Sequence, residues 1–379
     1  MDFERLYDRK KDGSIKWNRY NEAVIPMWVA DMDFEVAPPI RAAMQRYVDT
    51  GIYGYAAPMP EHAVAVKNWL KEEYDWDIKT EWIVWLPSVL SGIGTLARQI
   101  SPLPYGVMTS IPVYRPFLDF AEGEGRYLQA VNLRLVEDEW TMDFDAMKAA
   151  LTPETKLYIL CNPHNPTGRM YTKEELTQLV DFCAEHGIVI CSDDIHADLI
   201  LEIGKKHIPV ASINDTAANL SVSLFSAAKA FNIPALNAAF AVIPNGEIRS
   251  KFEKTKLHTV PNLGKQGADA TAAALSESKP WLEELLQYLR GNLSYLQQEI
   301  NAIPGLKLRN QQATYLAWID YSELGIENFA SVLEEYGVGV LEASVFMGEK
   351  HVRLNFGTQR ANLEEAVKRI KLAVNAIRN

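Results

Sequence analysis

Residues 156–193 hold two short apolar runs separated by an amphipathic stretch, and that order admits few folds. KLYILC, from Lys156 to Cys161, reads as a buried strand. Thr172 and Glu175 have the spacing of a capping box and open a helix whose Leu176, Leu179, Val180 and Cys183 share one face. Gly187 stops that helix, and IVICSD (Ile188 to Asp193) follows as the next strand. LSVSLFS, from Leu220 to Ser226, reads as a third. Strands covered by helices in this alternation predict an α/β fold with a mostly parallel open sheet. Ligands in such sheets bind beyond the carboxyl edges of the strands, so chemistry is expected there.

At 379 residues the chain is too long for one small core, and two structural units are expected. From about Lys279 the texture changes to long amphipathic helices (Trp281 to Ile303, Leu363 to Ile377) around two strands, TYLAWID and HVRLNFG. The expected division is a large domain over 46–278 and a smaller α/β domain formed by 1–45 with 279–379. Lysine and arginine total 38 against 49 aspartate and glutamate, a net charge of -11 that repels nucleic-acid phosphates and anionic lipid headgroups. Small molecules are therefore the expected partners, not nucleic acid or membrane. No run approaches the roughly 18 apolar residues of a membrane span, and MDFERLYDRKKDG lacks the apolar segment of a signal peptide. A cytoplasmic location is expected. Cys161, Cys183 and Cys191 show no C-x-x-C spacing, which predicts core thiols rather than disulfides or zinc ligands.

Three segments could carry chemistry. Lys229 follows the third strand in LFSAAKAFN, where burial would lower its pKa and favour an amine nucleophile; a surface lysine in a loop is the plainer reading. The same letters fit S-x-x-K, the Ser-Lys pair of acyl-transfer enzymes, but the accompanying K-T-G and S-D-N elements are missing. Asp193 and Asp194 end the second strand beside His196 and Asp198. Neighbours in an extended segment point to opposite faces, so a metal site is not expected. A single carboxylate buried there needs a cationic partner instead. Asn165 lies in NPHNPTG, where two prolines and a glycine make a plain turn the default reading; the functional reading is an amide that donates to a ligand oxygen above the sheet edge.

Taken in order, NPHNPTG, SDDIH, SAAKAFN and the late arginine of HVRLNFG resemble the fold type I pyridoxal-phosphate enzymes, the class I/II aminotransferase superfamily. PMWVADMDF, GIYGY, FNIPAL, TYLAW and VRLN are similar to its cystathionine β-lyase-like (C-S lyase) branch, and the resemblance covers essentially the whole chain. It implies a large domain with a mostly parallel seven-stranded sheet between helices, a smaller α/β C-terminal domain, and pyridoxal 5′-phosphate as cofactor. By this resemblance Lys229 carries the cofactor as a Schiff base and Asp193 partners the pyridine nitrogen, keeping the ring able to accept electrons. Asn165 and His196 share the ring O3′, Tyr114 stacks on the ring, and Ile195 lies beside it. Ser88, Val89 and Leu90 of PSVLSGIG form the phosphate site at a helix N-terminus, with a hydroxyl from Ser226. Tyr55 of GIYGY comes from a neighbouring subunit, which implies a homodimer with shared active sites. Arg353 grips the substrate α-carboxylate, with Asn165 and Ala30 also at the substrate; Lys229 and Tyr114 are the catalytic candidates. The sequence departs from many aminotransferases at Asn237, where they carry a phosphate-binding arginine. The implied reaction is β-elimination from a sulfur amino acid. A class I/II aminotransferase and a cofactor-bound regulatory protein without turnover are the alternatives.

Overall fold

The capping box forms as its spacing predicts. Thr172 Oγ1 accepts from the Glu175 N–H at 3.2 Å, and Glu175 Oε2 accepts from the Thr172 N–H at 2.7 Å. The helix Lys173–His186 then ends on Gly187, whose φ of 64° lies in the left-handed region that glycine enters without strain. Leu176, Leu179, Val180 and Cys183 pack with Tyr158, Leu160 and Ile190 of the two flanking strands. The chain is described here by a computed structural model over residues 1–100, 103–123, 125–257 and 259–378.

Among the described residues the central sheet has seven strands. Their order is Ile83–Leu86, Ala239–Val242, Ser221–Phe225, Val189–Asp193, Thr155–Cys161, Tyr105–Ile111 and Arg126–Asn132. Ala239–Val242 runs antiparallel to both its neighbours, and the other neighbouring pairs are parallel. Tyr105–Ile111 and Ser221–Phe225 are buried along their whole length, as expected of strands covered by helices on both faces. The helix Val89–Gln99 lies hard against this sheet because residue 92 is glycine. A Cβ there would stand 2.7 Å from a Leu224 methyl and 2.9 Å from one of Leu86. That close approach sets the first turn of the helix at the carboxyl edge of Ile83–Leu86.

A second, antiparallel sheet has the order Lys307–Leu308, Leu316–Asp320, His351–Asn355, Leu341–Glu342. It packs with the helices Lys279–Asn301 and Arg360–Arg378. The longer helix buries Leu282, Leu285, Leu289, Leu293, Leu296 and Ile300, an apolar stripe at steps of three and four. Its two edge strands have only two residues each, too few for alternation to reveal them in sequence. Ile25–Pro26 pairs in parallel with Val338–Gly339, which ties the N-terminal segment to this layer. The division expected between residues 45 and 46 falls inside the helix Pro38–Thr50, which packs on Lys265–Glu277. Among the described residues no helix is long and apolar enough to cross a membrane. None of their His, Cys, Asp and Glu side chains form a group of three or more suited to a metal ion.

Candidate active site

Five strand ends of the central sheet converge on one cavity of about 410 Å³. The turn after Leu86 brings Ser88, Val89 and Leu90, and the turn after Ile111 brings Tyr114. Asn165 follows Cys161, Ile195 and His196 follow Asp193, and Ser226 and Lys229 follow Phe225. Arg353 enters from the second sheet and Ala30 from the N-terminal segment, so the cavity lies where the two layers meet. Tyr55 alone among the site residues read from the sequence does not line it, and its side chain is fully exposed.

The Lys229 Nζ donates to the Ala30 carbonyl at 2.6 Å. Burial, reinforced by the positive charge of Arg353, lowers its pKa to about 8. Asp193 is 4% exposed and has no ion-pair partner among the described residues. Its Oδ1 accepts from the Ile195 N–H at 3.1 Å, yet burial still raises its pKa to about 7. Asp194 faces the other way, as alternation along a strand requires. It accepts from the Ser192 hydroxyl at 2.9 Å and lies 3.0 Å from His207. Burial holds His196 neutral, with its pKa lowered to about 3, and its Nδ1 is buried without a hydrogen-bond partner.

Arg353 is 3% exposed and faces no acid among the described residues. Its Nη1 donates to Asn165 Oδ1 at 3.0 Å, its Nη2 donates to the Trp28 carbonyl at 2.6 Å, and its Nε has no acceptor. Burial brings its pKa down to about 10. Burial and then the nearby Asp193 carboxylate raise the Tyr114 phenol above its usual value. Ser88 caps the helix Val89–Gln99 by accepting from the Ser91 N–H at 3.1 Å. The N–H groups of Val89 and Leu90 belong to the first helical turn, which has no intrahelical acceptors for them. The Ser226 hydroxyl donates to the Ala238 carbonyl at 2.5 Å and accepts from the Ala228 N–H at 3.1 Å, shaping the turn that leads to Lys229. Asn237 lines the cavity in a left-handed conformation, with its amide donating to the Ala235 carbonyl at 3.3 Å.

Several contributors had no role read from the sequence, although the resemblance places Ala30 at the substrate and Asn232 and Asn355 lie within its motifs. The carbonyls of Trp28 and Ala30 receive the two site cations, and a backbone carbonyl is the same for every residue type. Asn355 and Asn232 hold that segment in place, Asn355 through the Val29 and Asp31 carbonyls and Asn232 through those of Met32 and Phe34. Cys161, Cys183 and Cys191 are all buried free thiols in the core as expected; Cys161 also borders the cavity, and its sulfur accepts from the Asn165 N–H at 3.3 Å.

The sequence matches aminotransferase class I and II over residues 24–370. Cystathionine beta-lyase PatB of Bacillus subtilis is 33% identical over 388 residues, covering 99% of this chain and 100% of PatB. Among solved structures, OvoB superposes with a TM-score of 0.97 at 37% identity, covering 99% of this chain and 100% of OvoB. The PLP-bound C-S lyase from Staphylococcus hominis superposes with a TM-score of 0.93 at 28% identity, covering 99% of both chains. The chain belongs to the aminotransferase class I and II family.

Proposed function

We propose that this protein is a pyridoxal-phosphate-dependent carbon–sulfur lyase. It removes a thiol from the β-carbon of a sulfur amino acid such as cystathionine and, with water, releases pyruvate and ammonia. The observation that carries the reading is a pair of unmatched buried charges in one cavity. Among the described residues Arg353 is a guanidinium with no acid in ion-pair contact, and Asp193 is a carboxyl with no cation in ion-pair contact, the charge of Lys229 reaching it only across the cavity. Isolated buried charges are costly, so such a cavity is built for a ligand that completes both pairs. A protonated pyridine nitrogen suits Asp193, and the α-carboxylate of an amino acid suits Arg353. The orphaned His196 Nδ1 and the open first turn at Val89 and Leu90 fit the same cofactor, the latter as a phosphate seat. Likeness to a cystathionine beta-lyase and to a C-S lyase along the full chain favours elimination over amino-group exchange.

When bound, the cofactor supplies an electron sink for the pair released at the substrate Cα. Lys229 holds and moves the proton. With a pKa of about 8, half of its amine is neutral at that pH and able to take the Cα proton. Arg353 orients the substrate. Its Nε–H, which lacks an acceptor, together with a neighbouring Nη–H makes the parallel pair that a carboxylate accepts. Asn165 Oδ1 and the Trp28 carbonyl fix the fork from behind. Tyr114 and Ile195 would hold the ring from the cavity wall, and Ser226 shapes the lysine turn. Asp193 would keep the ring nitrogen charged.

Exposed Val48, Ile52, Tyr53, Tyr55, Met59 and Val64 form an apolar run that a second copy would cover. This supports a homodimer in which Tyr55 reaches the partner's cavity. We take the enzyme to be cytoplasmic, with a large unit over 46–278 whose first helix, Pro38–Thr50, begins ahead of that boundary. Purified protein reconstituted with pyridoxal phosphate and given cystathionine should release one pyruvate per thiol. Amino-group transfer to an added 2-keto acid without pyruvate would establish the aminotransferase instead. Bound cofactor with neither reaction would leave a regulatory protein.

A further inference from the structure

No carboxylate stands beside Arg353, so its charge draws on means of stabilisation beyond the two neutral oxygens it donates to. The Phe346 ring provides one. The guanidinium carbon lies over that ring, 4.8 Å from its centroid, inside the roughly 6 Å within which an aromatic face attracts a cation. Phe346 is 1% exposed and closes the helical turn Ala343–Phe346 at the cavity wall.

The ring is itself held. Trp318, the cross-strand partner of Arg353, packs edge-on against Phe346 with centroids 5.5 Å apart and planes at 81°. Trp318 in turn stacks on His351 at 5.0 Å and 11°. The Phe346 carbonyl accepts from the Val113 N–H at 3.0 Å, next to Tyr114, so one residue is tied to both the arginine and the tyrosine loop. A ring face differs chemically from a carboxylate in this place. It attracts the delocalised charge from above the guanidinium plane but takes none of the in-plane N–H donors.

We propose that Phe346 is the positioning residue for Arg353, holding its guanidinium charged and in place while leaving donors free for an incoming carboxylate. The inference rests on the reading above that Arg353 receives the substrate α-carboxylate.

The test uses the holoenzyme and two unreactive probes, 3-(methylthio)propanoate and its uncharged amide, with binding measured by calorimetry. Phe346→Leu should weaken the carboxylate probe on the order of tenfold, the size of a partly desolvated cation–π contact, and leave the amide unchanged. Phe346→Tyr, which keeps the ring face, should bind both probes like the wild type. With cystathionine, the leucine variant should raise KM by a similar factor while kcat stays within about twofold. Should the leucine protein fail to fold, Phe346→Met carries the same comparison. Equal weakening of both probes, an unchanged carboxylate affinity, or failure of tyrosine to rescue would overturn the proposal. A wild-type enzyme that does not prefer the carboxylate over the amide would instead remove the Arg353 reading beneath it.

Discussion

Replacing Arg353 with methionine should separate the cost of the site from its use. Burial brings the arginine from 12.5 to about 10. At about 1.4 kcal/mol per pH unit, that is about 3 kcal/mol against the charged form. Its bonds to Asn165 Oδ1 and the Trp28 carbonyl return a comparable amount, each roughly 1.5–3 kcal/mol for a charged donor. The free protein therefore gains little net stability from this residue, and methionine fills similar volume without an unpaired charge. We expect Arg353→Met to change folding stability by no more than about 2 kcal/mol, a shift in Tm of a few degrees. Catalysis should respond very differently. Losing one partner of a buried hydrogen-bonded charge pair costs about 2–5 kcal/mol, so kcat/KM for cystathionine should fall by about thirtyfold to several thousandfold. Most of the loss should appear in KM. Thermal melting and steady-state pyruvate release on the same reconstituted samples measure both quantities. A large drop in Tm with unchanged kinetics in the surviving protein would refute the reasoning, as would an unchanged KM.

Lys229→Ala should abolish turnover even where cofactor is retained without a covalent link; wild-type pyruvate release by the variant would remove Lys229 from the mechanism. In cofactor-free protein the neutral Lys229 amine is the form that attacks the aldehyde, and its pKa is lowered to about 8. The rate of cofactor capture, followed by visible absorbance, should therefore rise with pH through about 8, whereas a rise delayed to pH 10 would mean an ordinary lysine. Asp193 has a folded pKa of about 7 against 3.8 unfolded, so the folded state holds the extra proton and stability falls as pH rises between those values. Asp193→Asn should thus stabilise the cofactor-free protein at pH 8, by at most about 4 kcal/mol, with little effect at pH 4, while impairing turnover of the loaded enzyme. Melting curves at the two pH values test this, and equal shifts at both would contradict it.

Local chemistry makes much of this molecule legible in its sequence. The capping box at Thr172 and Glu175, the stop at Gly187 and the apolar runs ending at Cys161, Asp193 and Phe225 act within a few residues of themselves. The strands and the covering helix accordingly formed where the pattern puts them. Because parallel strands present their carboxyl ends on one edge, Asn165, Asp193 and Lys229 were already bound for the same place. Alternation also separated Asp193 from Asp194, but it did not say which of the two would face the cavity.

Tertiary structure decided the rest. Two-residue edge strands are too short to show a period, and the helix Pro38–Thr50 crosses a boundary drawn from composition. That Arg353 is buried without an acid depends on Asn165, 188 residues away, and on a carbonyl 325 residues away. The ring of Phe346 under its guanidinium is likewise visible only in three dimensions. Sequence determines which groups carry charge and which segments prefer helix or strand, since those are properties of residues and their near neighbours. Whether a charge is paired, desolvated or left open for a ligand depends on what distant segments bring against it, and only the packed fold sets that.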